Sequence, residues 1–204
     1  GMFAFAVFDS VENKICLARD RFGEKPLYLL KEDENSFAFS SEISSLEKMP
    51  NFAKQIDVKS ASCFFQRSYI PGPLSIWKKV RKLVPGTYLE ICINNSGYYE
   101  ITKEKSYWSL KNIASYGQRN IFDGNFEEAK VKLEQLLEEA LTGQVLADVP
   151  LGVFLSGGID SSLVAALLSK TSSKKVKTFS IGFEEKDFDE SFFAEKVAEH
   201  LKTE

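Results

Sequence analysis

Seven consecutive residues, Ser156-Gly157-Gly158-Ile159-Asp160-Ser161-Ser162, gather three hydroxyls, a carboxylate and two adjacent glycines. Glycines lack Cβ atoms, so their backbone takes positive φ freely and lets N–H groups approach an anion closely. The apolar run Gly152-Val153-Phe154-Leu155 ahead of them reads as a strand, and Leu163-Val164-Ala165-Ala166-Leu167-Leu168 behind them as a helix starting near Ser161. Such a loop sits at the C-terminal end of its strand, where open α/β sheets bind ligands. The helix start adds free N–H groups and a partial positive charge of about half a unit. Ser156, Ser161 and Ser162 would hydrogen-bond phosphate oxygens. Asp160 would repel phosphate unless a cation lay between them, and Mg2+ prefers that mixture of carboxylate and phosphate oxygens. The chemistry is that of gripping nucleotide phosphates.

Rival readings of the loop fit less well. The Walker pattern G-x4-G-K-[ST] needs a lysine, and none lies between Val145 and Leu168. A G-x-G-x-x-G dinucleotide turn is absent. Phe154 stands where the esterase elbow G-x-S-x-G has its first glycine. Two glycines alone would make only a tight strand-to-helix turn; Asp160 and the serines are what point to a ligand. Without a Walker lysine, cleavage between the α- and β-phosphates, with pyrophosphate departing, suits the loop.

The elements that must position this loop come from residues 125–204. Asn125 followed three residues later by Glu128 is a helix N-terminal signal. Phe126, Ala129, Leu133, Leu136, Leu137, Ala140 and Leu141 then keep helical spacing to about Gly143. After the loop and its helix, a second strand runs from Val176 to Phe183 and a second helix starts near Glu190. This alternation predicts a parallel sheet covered by helices.

Residues 1–105 read as β-rich. Phe3, Phe5 and Val7 alternate with Ala4 and Ala6, the pattern of a strand buried on both faces, and Ile15-Cys16-Leu17-Ala18 returns after a turn. Leu27 to Leu30 and Phe37 to Phe39 form a hairpin across residues 32–35. Short helices follow, one from Ser40-Ser41-Glu42 to about Lys48 and one N-capped by Asp57 and running through Phe65. Strands at Ile76 to Val80 and Thr87 to Ile93 flank Pro85-Gly86, and residues 94–97 turn into Tyr98 to Ile101. Between Lys103 and Asn125 the hydrophobic period is lost, which places a linker at residues 106–124.

Composition restricts the function classes. The 204 residues are 44% hydrophobic and 27% charged, as in ordinary soluble domains. A net charge of −3 supplies no basic excess for nucleic acid. No apolar run reaches the about 20 residues of a membrane span, and residues 1–8 have no basic flank of a signal peptide. Cys16, Cys63 and Cys92 are odd in number and widely spaced, which predicts buried reduced thiols in a cytoplasmic protein. His200 is the one histidine, so His-based triads and metal clusters have almost nothing to build on. The basic cluster Lys78, Lys79, Arg81 and Lys82 reads as an exposed strand face, and the five acids between Glu184 and Glu190 as a solvated loop.

Residues 149–162 resemble the SGGxDS pyrophosphate loop of the ATP-pyrophosphatases, and the wording around it resembles the glutamine-hydrolysing asparagine synthetase family. Gly1-Met2-Phe3-Ala4-Phe5-Ala6, Arg19-Asp20-Arg21-Phe22-Gly23-Glu24-Lys25-Pro26-Leu27-Tyr28 and Phe39-Ser40-Ser41-Glu42-Ile43 are similar to its N-terminal glutaminase domain. Thr178-Phe179-Ser180-Ile181-Gly182-Phe183 with Asp189-Glu190-Ser191 is similar to the strand and helix after its ATP loop.

The resemblance implies an α+β part followed by an α/β part. The first is a partial N-terminal-nucleophile (αββα) glutaminase domain at 1–105, and the second the start of a doubly wound parallel-sheet ATP-pyrophosphatase domain at 125–204. It implies ATP-dependent asparagine synthesis from aspartate through an aspartyl-adenylate, with ammonia from glutamine and release of AMP and pyrophosphate. Leu155 and Ile181 would touch the adenine nucleotide, and Ser156, Gly157, Gly158, Asp160, Ser161 and Ser162 its pyrophosphate, with Mg2+ at Asp160. Aspartate, glutamine and ATP would be the partners; a homodimer stays open for the full-length protein. For the segment around Arg19 and Asp20 the resemblance favours a structural role. The family's N-terminal cysteine nucleophile and its later SGEGxDE segment are expected outside this chain, which reads as an internal fragment with no catalytic residue of its own and no activity alone. A related amidotransferase acting on another carboxylate, and a non-catalytic nucleotide-binding module, remain as alternatives.

Overall fold

The computed structural model describes residues 1–33, 36–94, 98–145, 147–185, 187 and 189–204. The expected hairpin tip at Glu34 and Asn35, the turn at 95–97 and Lys186 lie outside the described residues. The chain is mixed α/β and divides into two compact units, Gly1–Ile121 and Phe122–Glu204.

In the first unit, strands β1 (Ala4–Asp9), β2 (Lys14–Arg19), β6 (Thr87–Ile93) and β7 (Tyr99–Ser106) form one antiparallel sheet in the order β1-β2-β6-β7. Strands β3 (Tyr28–Lys31), β4 (Phe37–Ser40) and β5 (Val80–Lys82) form a second, in the order β4-β3-β5. Leu17, Leu89 and Ile91 of the first sheet pack with Leu27, Leu29 and Leu83 in one core, all under 5% exposed. The opposite face of the second sheet is covered by α1 (Ile43–Leu46) and its surroundings, with Leu30, Val80 and Leu46 buried beside Phe52 and Trp77. Helix α2 (Val58–Arg67) is capped as expected: the Asp57 carboxylate accepts the Ser60 amide at 3.0 Å.

Four expectations need correction here. β1 is not buried on both faces: it is an edge strand, and Phe5, Val7 and Phe8 are 45–57% exposed because nothing described covers its outer side. Cys16, Cys63 and Cys92 are free but only half-buried; Cys16, paired with Val7 and alternating with the core residue Leu17, lies on that same outer face. The segment from 106 to 124 contains helix α3 (Leu110–Arg119), capped by the Ser109 hydroxyl; Leu110, Ile113 and Ala114 keep helical spacing, but the helix is short and none of its residues is buried. The basic cluster is an exposed strand face only in part: Lys78 and Lys79 are exposed but precede β5, and Arg81 and Lys82 within it are half-buried. Lys79 pairs with Glu32 at 2.9 Å, Arg81 with Glu104 at 2.8 Å, and the Lys82 ammonium donates to the Ile70 carbonyl.

At the end of β2 the charged pair Arg19 and Asp20 is structural, as the resemblance implied. Arg19 and Asp20 are buried, 8% and 1% exposed. The Arg19 guanidinium donates to the carbonyls of Lys25, Leu83 and Gly23 at 2.7–2.8 Å. The Asp20 carboxylate accepts the amides of Phe22, Glu24 and Lys25. Gly23 turns the loop at φ +69°, where a Cβ would stand 2.9 Å from the guanidinium carbon.

In the second unit, α4 (Phe126–Gln144) starts with the full capping box: Asn125 and Glu128 each accept the other's amide. Strand β8 (Gly152–Phe154) leads through the loop to α5 (Ile159–Thr171), β9 (Lys177–Phe179) and α6 (Ser191–Leu201). β8 and β9 pair in parallel, as the alternation predicted, though β9 is shorter than expected. The backbone of Glu204 bonds to Val176 and Thr178 on the other edge of β9, in the parallel pattern. Leu155, Ala165 and Ala194 form the core, joined by Val153, Val197, Ala198 and Leu201. Lys170 bridges Glu134 and Glu138 at 2.6 and 2.8 Å, tying α5 to α4. Among the described residues no helix is long and apolar enough to cross a membrane.

Burial pushes the Asp20 carboxyl up, but the amides of Lys25, Glu24, Phe22 and Gly23 outweigh it and hold its pKa below the ordinary value. A depressed carboxyl pKa adds stability above its unfolded value and loses it as pH falls through its folded value. Asp20→Ala orphans three amides and is expected to cost about 1–3 kcal/mol at neutral pH. Denaturant melts of both proteins from about pH 6 down to about pH 2 should show that gap narrowing with acid.

Candidate nucleotide-phosphate site

The loop after β8 begins at Leu155, 3% exposed, whose amide donates to the Phe179 carbonyl at 2.8 Å and so continues the pairing with β9. Gly157 follows at φ +78°, and a Cβ there would lie 2.5–2.7 Å from Phe193 Cβ, Phe193 C and Ala194 N. The loop backbone therefore rests directly on the first turn of α6, and only glycine fits.

The hydroxyls organise the loop from inside. Ser156 Oγ lies 3.0 Å from Ser161 Oγ and accepts the Gly158 amide; Ser161 Oγ accepts the Ser156 amide. Helix α5 starts at Ile159, two residues earlier than expected, so Asp160 falls in its first turn. Its N-cap is Gly158, which has no side chain to offer, and among the described residues the amides of Ile159, Asp160 and Ser161 meet no acceptor. α2, α3 and α4 are capped by Asp57, Ser109 and Asn125, whereas α1 and α6, like α5, have no side-chain cap. An open helix start with close-lying hydroxyls and a left-handed glycine has the chemistry to receive an anion.

A pocket of about 410 Å³ opens beside the loop. Leu155, Ser156, Ser161 and Ile181 line it, so the structure brings these four together. Gly157 and Gly158 form the backbone of the turn rather than the pocket wall. Asp160 is exposed and outside the wall, and Ser162 Oγ is buried without a hydrogen-bond partner. Phe154, Phe179, Ser180, Phe183, Glu190 and Ser191 complete the wall and were not singled out from the sequence. The signal was available for Phe154 and Phe179: paired across parallel strands, they leave the core to Val153 and Leu155 and face away from it.

The α6 side of the pocket differs in charge. Asp189 accepts the Ser191 amide at 3.1 Å, and the Ser191 hydroxyl and amide hold its carboxyl below the usual range. With Glu190 beside it, this side disfavours an anion, and the α5 start is the less acidic wall of the pocket. Among the described residues no three His, Cys, Asp or Glu side chains are grouped to hold a metal. A lone carboxylate such as Asp160 suits Mg2+ that takes its other ligands from phosphate and water.

Comparison with known proteins agrees with both units. Residues 1–108 match the glutamine amidotransferase domain and residues 132–204 the asparagine synthase domain. Asparagine synthetase [glutamine-hydrolyzing] 3 of Bacillus subtilis is 32% identical over 92% of this chain and 29% of its own length. Asparagine synthetase [glutamine-hydrolyzing] of Gallus gallus is 30% identical over 100% of this chain and 34% of its own. A relative from Methanocaldococcus jannaschii is 36% identical, covering 100% of this chain and 38% of its own length. A glutamine amidotransferase half followed by an asparagine synthase half defines the class. The chain belongs to the glutamine-hydrolysing asparagine synthetase family and spans about a third of the length of these relatives.

Gly157→Ala forces a side chain into positive φ and into α6. It is expected to lower the melting temperature and to weaken nucleotide binding at least about tenfold, from a strain of about 1–2 kcal/mol before the clash is counted. Thermal unfolding and equilibrium nucleotide binding check this, and unchanged binding would contradict it.

Proposed function

We propose that the protein carrying this chain is a ligase that makes asparagine from aspartate, with ATP as the activating agent and glutamine as nitrogen donor. The observation that carries the ATP part is the uncapped start of α5, with three free amides beside the Ser156 and Ser161 hydroxyls at the end of a parallel strand. Ser156, Gly157, Gly158, Asp160, Ser161 and Ser162 would hold the pyrophosphate, and Leu155 and Ile181 would contact the adenine nucleotide. Mg2+ at Asp160 would supply charge neutralisation between carboxylate and phosphates.

The assignment of aspartate and glutamine rests on the relatives' names and on the amidotransferase match. The amidotransferase part is assigned to 1–105 and the synthetase part to 125–204, with the connection between them. In the first part, the two facing sheets and the open outer side of β1 and β2 suit an αββα sandwich with a further helical layer on that side. In the second, the parallel β8–β9 pair is the start of a doubly wound sheet. The activating step joins the aspartate carboxylate to the α-phosphorus and breaks its bond to the bridging oxygen, so pyrophosphate leaves and an aspartyl-adenylate forms. Ammonia then displaces AMP. The loop's part is to orient and neutralise the departing pyrophosphate, whose charge grows as the bond breaks. No catalytic residue is assigned within this chain, and the proposed compartment is the cytoplasm.

Asp160→Ala in the whole protein is expected to lower aspartate-dependent exchange of pyrophosphate into ATP at least about 100-fold. Glutamine hydrolysis and the melting temperature should remain near those of the unaltered protein. Loss of both activities would assign Asp160 to folding instead.

A further inference from the structure

Leu155 is the last residue before the loop, and the peptide joining it to Ser156 is one planar unit. Ser180 Oγ donates to the Leu155 carbonyl at 2.6 Å, across 25 residues of sequence. At the other end of the same peptide, the Ser156 amide donates to Ser161 Oγ at 3.3 Å. One hydroxyl comes from the residue just past β9 and the other from the first turn of α5. The Leu155 amide is tied to Phe179 as well, so both backbone groups of Leu155 are bound to consecutive residues at the exit of β9.

We infer that Ser180 is a positioning residue for the phosphate loop. Its hydroxyl fixes the plane of the Leu155–Ser156 peptide and thereby the direction in which the loop leaves the sheet. This rests on the reading of the loop as a nucleotide-phosphate site. Ser180 also lines the pocket, with Ile181 next to it, so the clamp links the wall beside the nucleotide to the loop under its phosphates. The strand ladder does not reach this point: β8 ends at Phe154 and β9 at Phe179, and the serine hydroxyl supplies the next contact that strand pairing would have made. An alanine there leaves the Leu155 carbonyl to water, which satisfies it without fixing it. The peptide plane is then free to rotate, and the loop amides lose their common aim.

The test is amide hydrogen exchange of the peptide spanning 155–162 in the whole protein, with and without MgATP, alongside pyrophosphate exchange. Ser180→Ala is expected to speed exchange of this segment about fivefold without nucleotide, the order of one net hydrogen bond. The KM for ATP should rise by a similar factor, with glutamine hydrolysis unchanged and the melting temperature lowered by no more than about a few degrees. Ser180→Thr, which keeps the hydroxyl, should restore both, whereas the isosteric Ser180→Val should not. Exchange at the unaltered rate in Ser180→Ala, or equal loosening in Thr and Val, would overturn the inference. If Ser180→Ala loosens the loop while MgATP gives the unaltered protein no protection, the clamp stands and the nucleotide reading fails.

Discussion

An α-helix cannot satisfy its first amides from within, and α5 has no side chain placed to do it. This deficit organises the second unit. The strand β8 aims the chain at the deficit, Gly157 folds the backbone back over α6, and the Ser156 and Ser161 hydroxyls hold the turn shut. Ala165 and Ala194 are fully buried small residues, which lets α5 and α6 approach β8 closely enough for the loop to lie across the first turn of α6. A capping serine at position 158 would close the helix as Asp57 and Asn125 close theirs, whereas glycine leaves the first amides open to the anion proposed above.

The first unit is built around a different constraint. Its two sheets face each other across a leucine-rich core, and the chain must cross from β2 in one sheet to β3 in the other within a few residues. Arg19 and Asp20 govern that crossing. The guanidinium gathers carbonyls and the carboxylate gathers amides, so the buried backbone of the crossing is satisfied by two charged side chains instead of by strand partners. The Tyr107 hydroxyl closes the seam on the Arg19 carbonyl at 2.7 Å.

Much of this was legible in the sequence where a local rule decided the outcome. The Asn125–Glu128 capping box, the Asp57 cap, the β3–β4 hairpin and the parallel β8–β9 pair follow from residue types at fixed spacing. The residues that depended on distant partners were not. Alternation in β1 suggested two buried faces, yet burial is decided by what packs on a strand, and nothing described covers its outer side. For Arg19 and Asp20 the family resemblance pointed to a structural role, but residue types alone did not name their partners, which are backbone groups and leave no trace in sequence. In the pocket, the serines and glycines announced themselves, whereas Ser180 looked like an ordinary strand residue, because its partner is the Leu155 carbonyl.

The central claim is that the uncapped start of α5 receives the pyrophosphate end of ATP. Calorimetric titration of the protein with MgATP, repeated in the presence of magnesium pyrophosphate, tests it directly. The account predicts one nucleotide site whose apparent affinity for ATP falls in proportion to added pyrophosphate, as for two ligands sharing one set of donors. ATP binding indifferent to pyrophosphate, or no ATP binding at all, would contradict it.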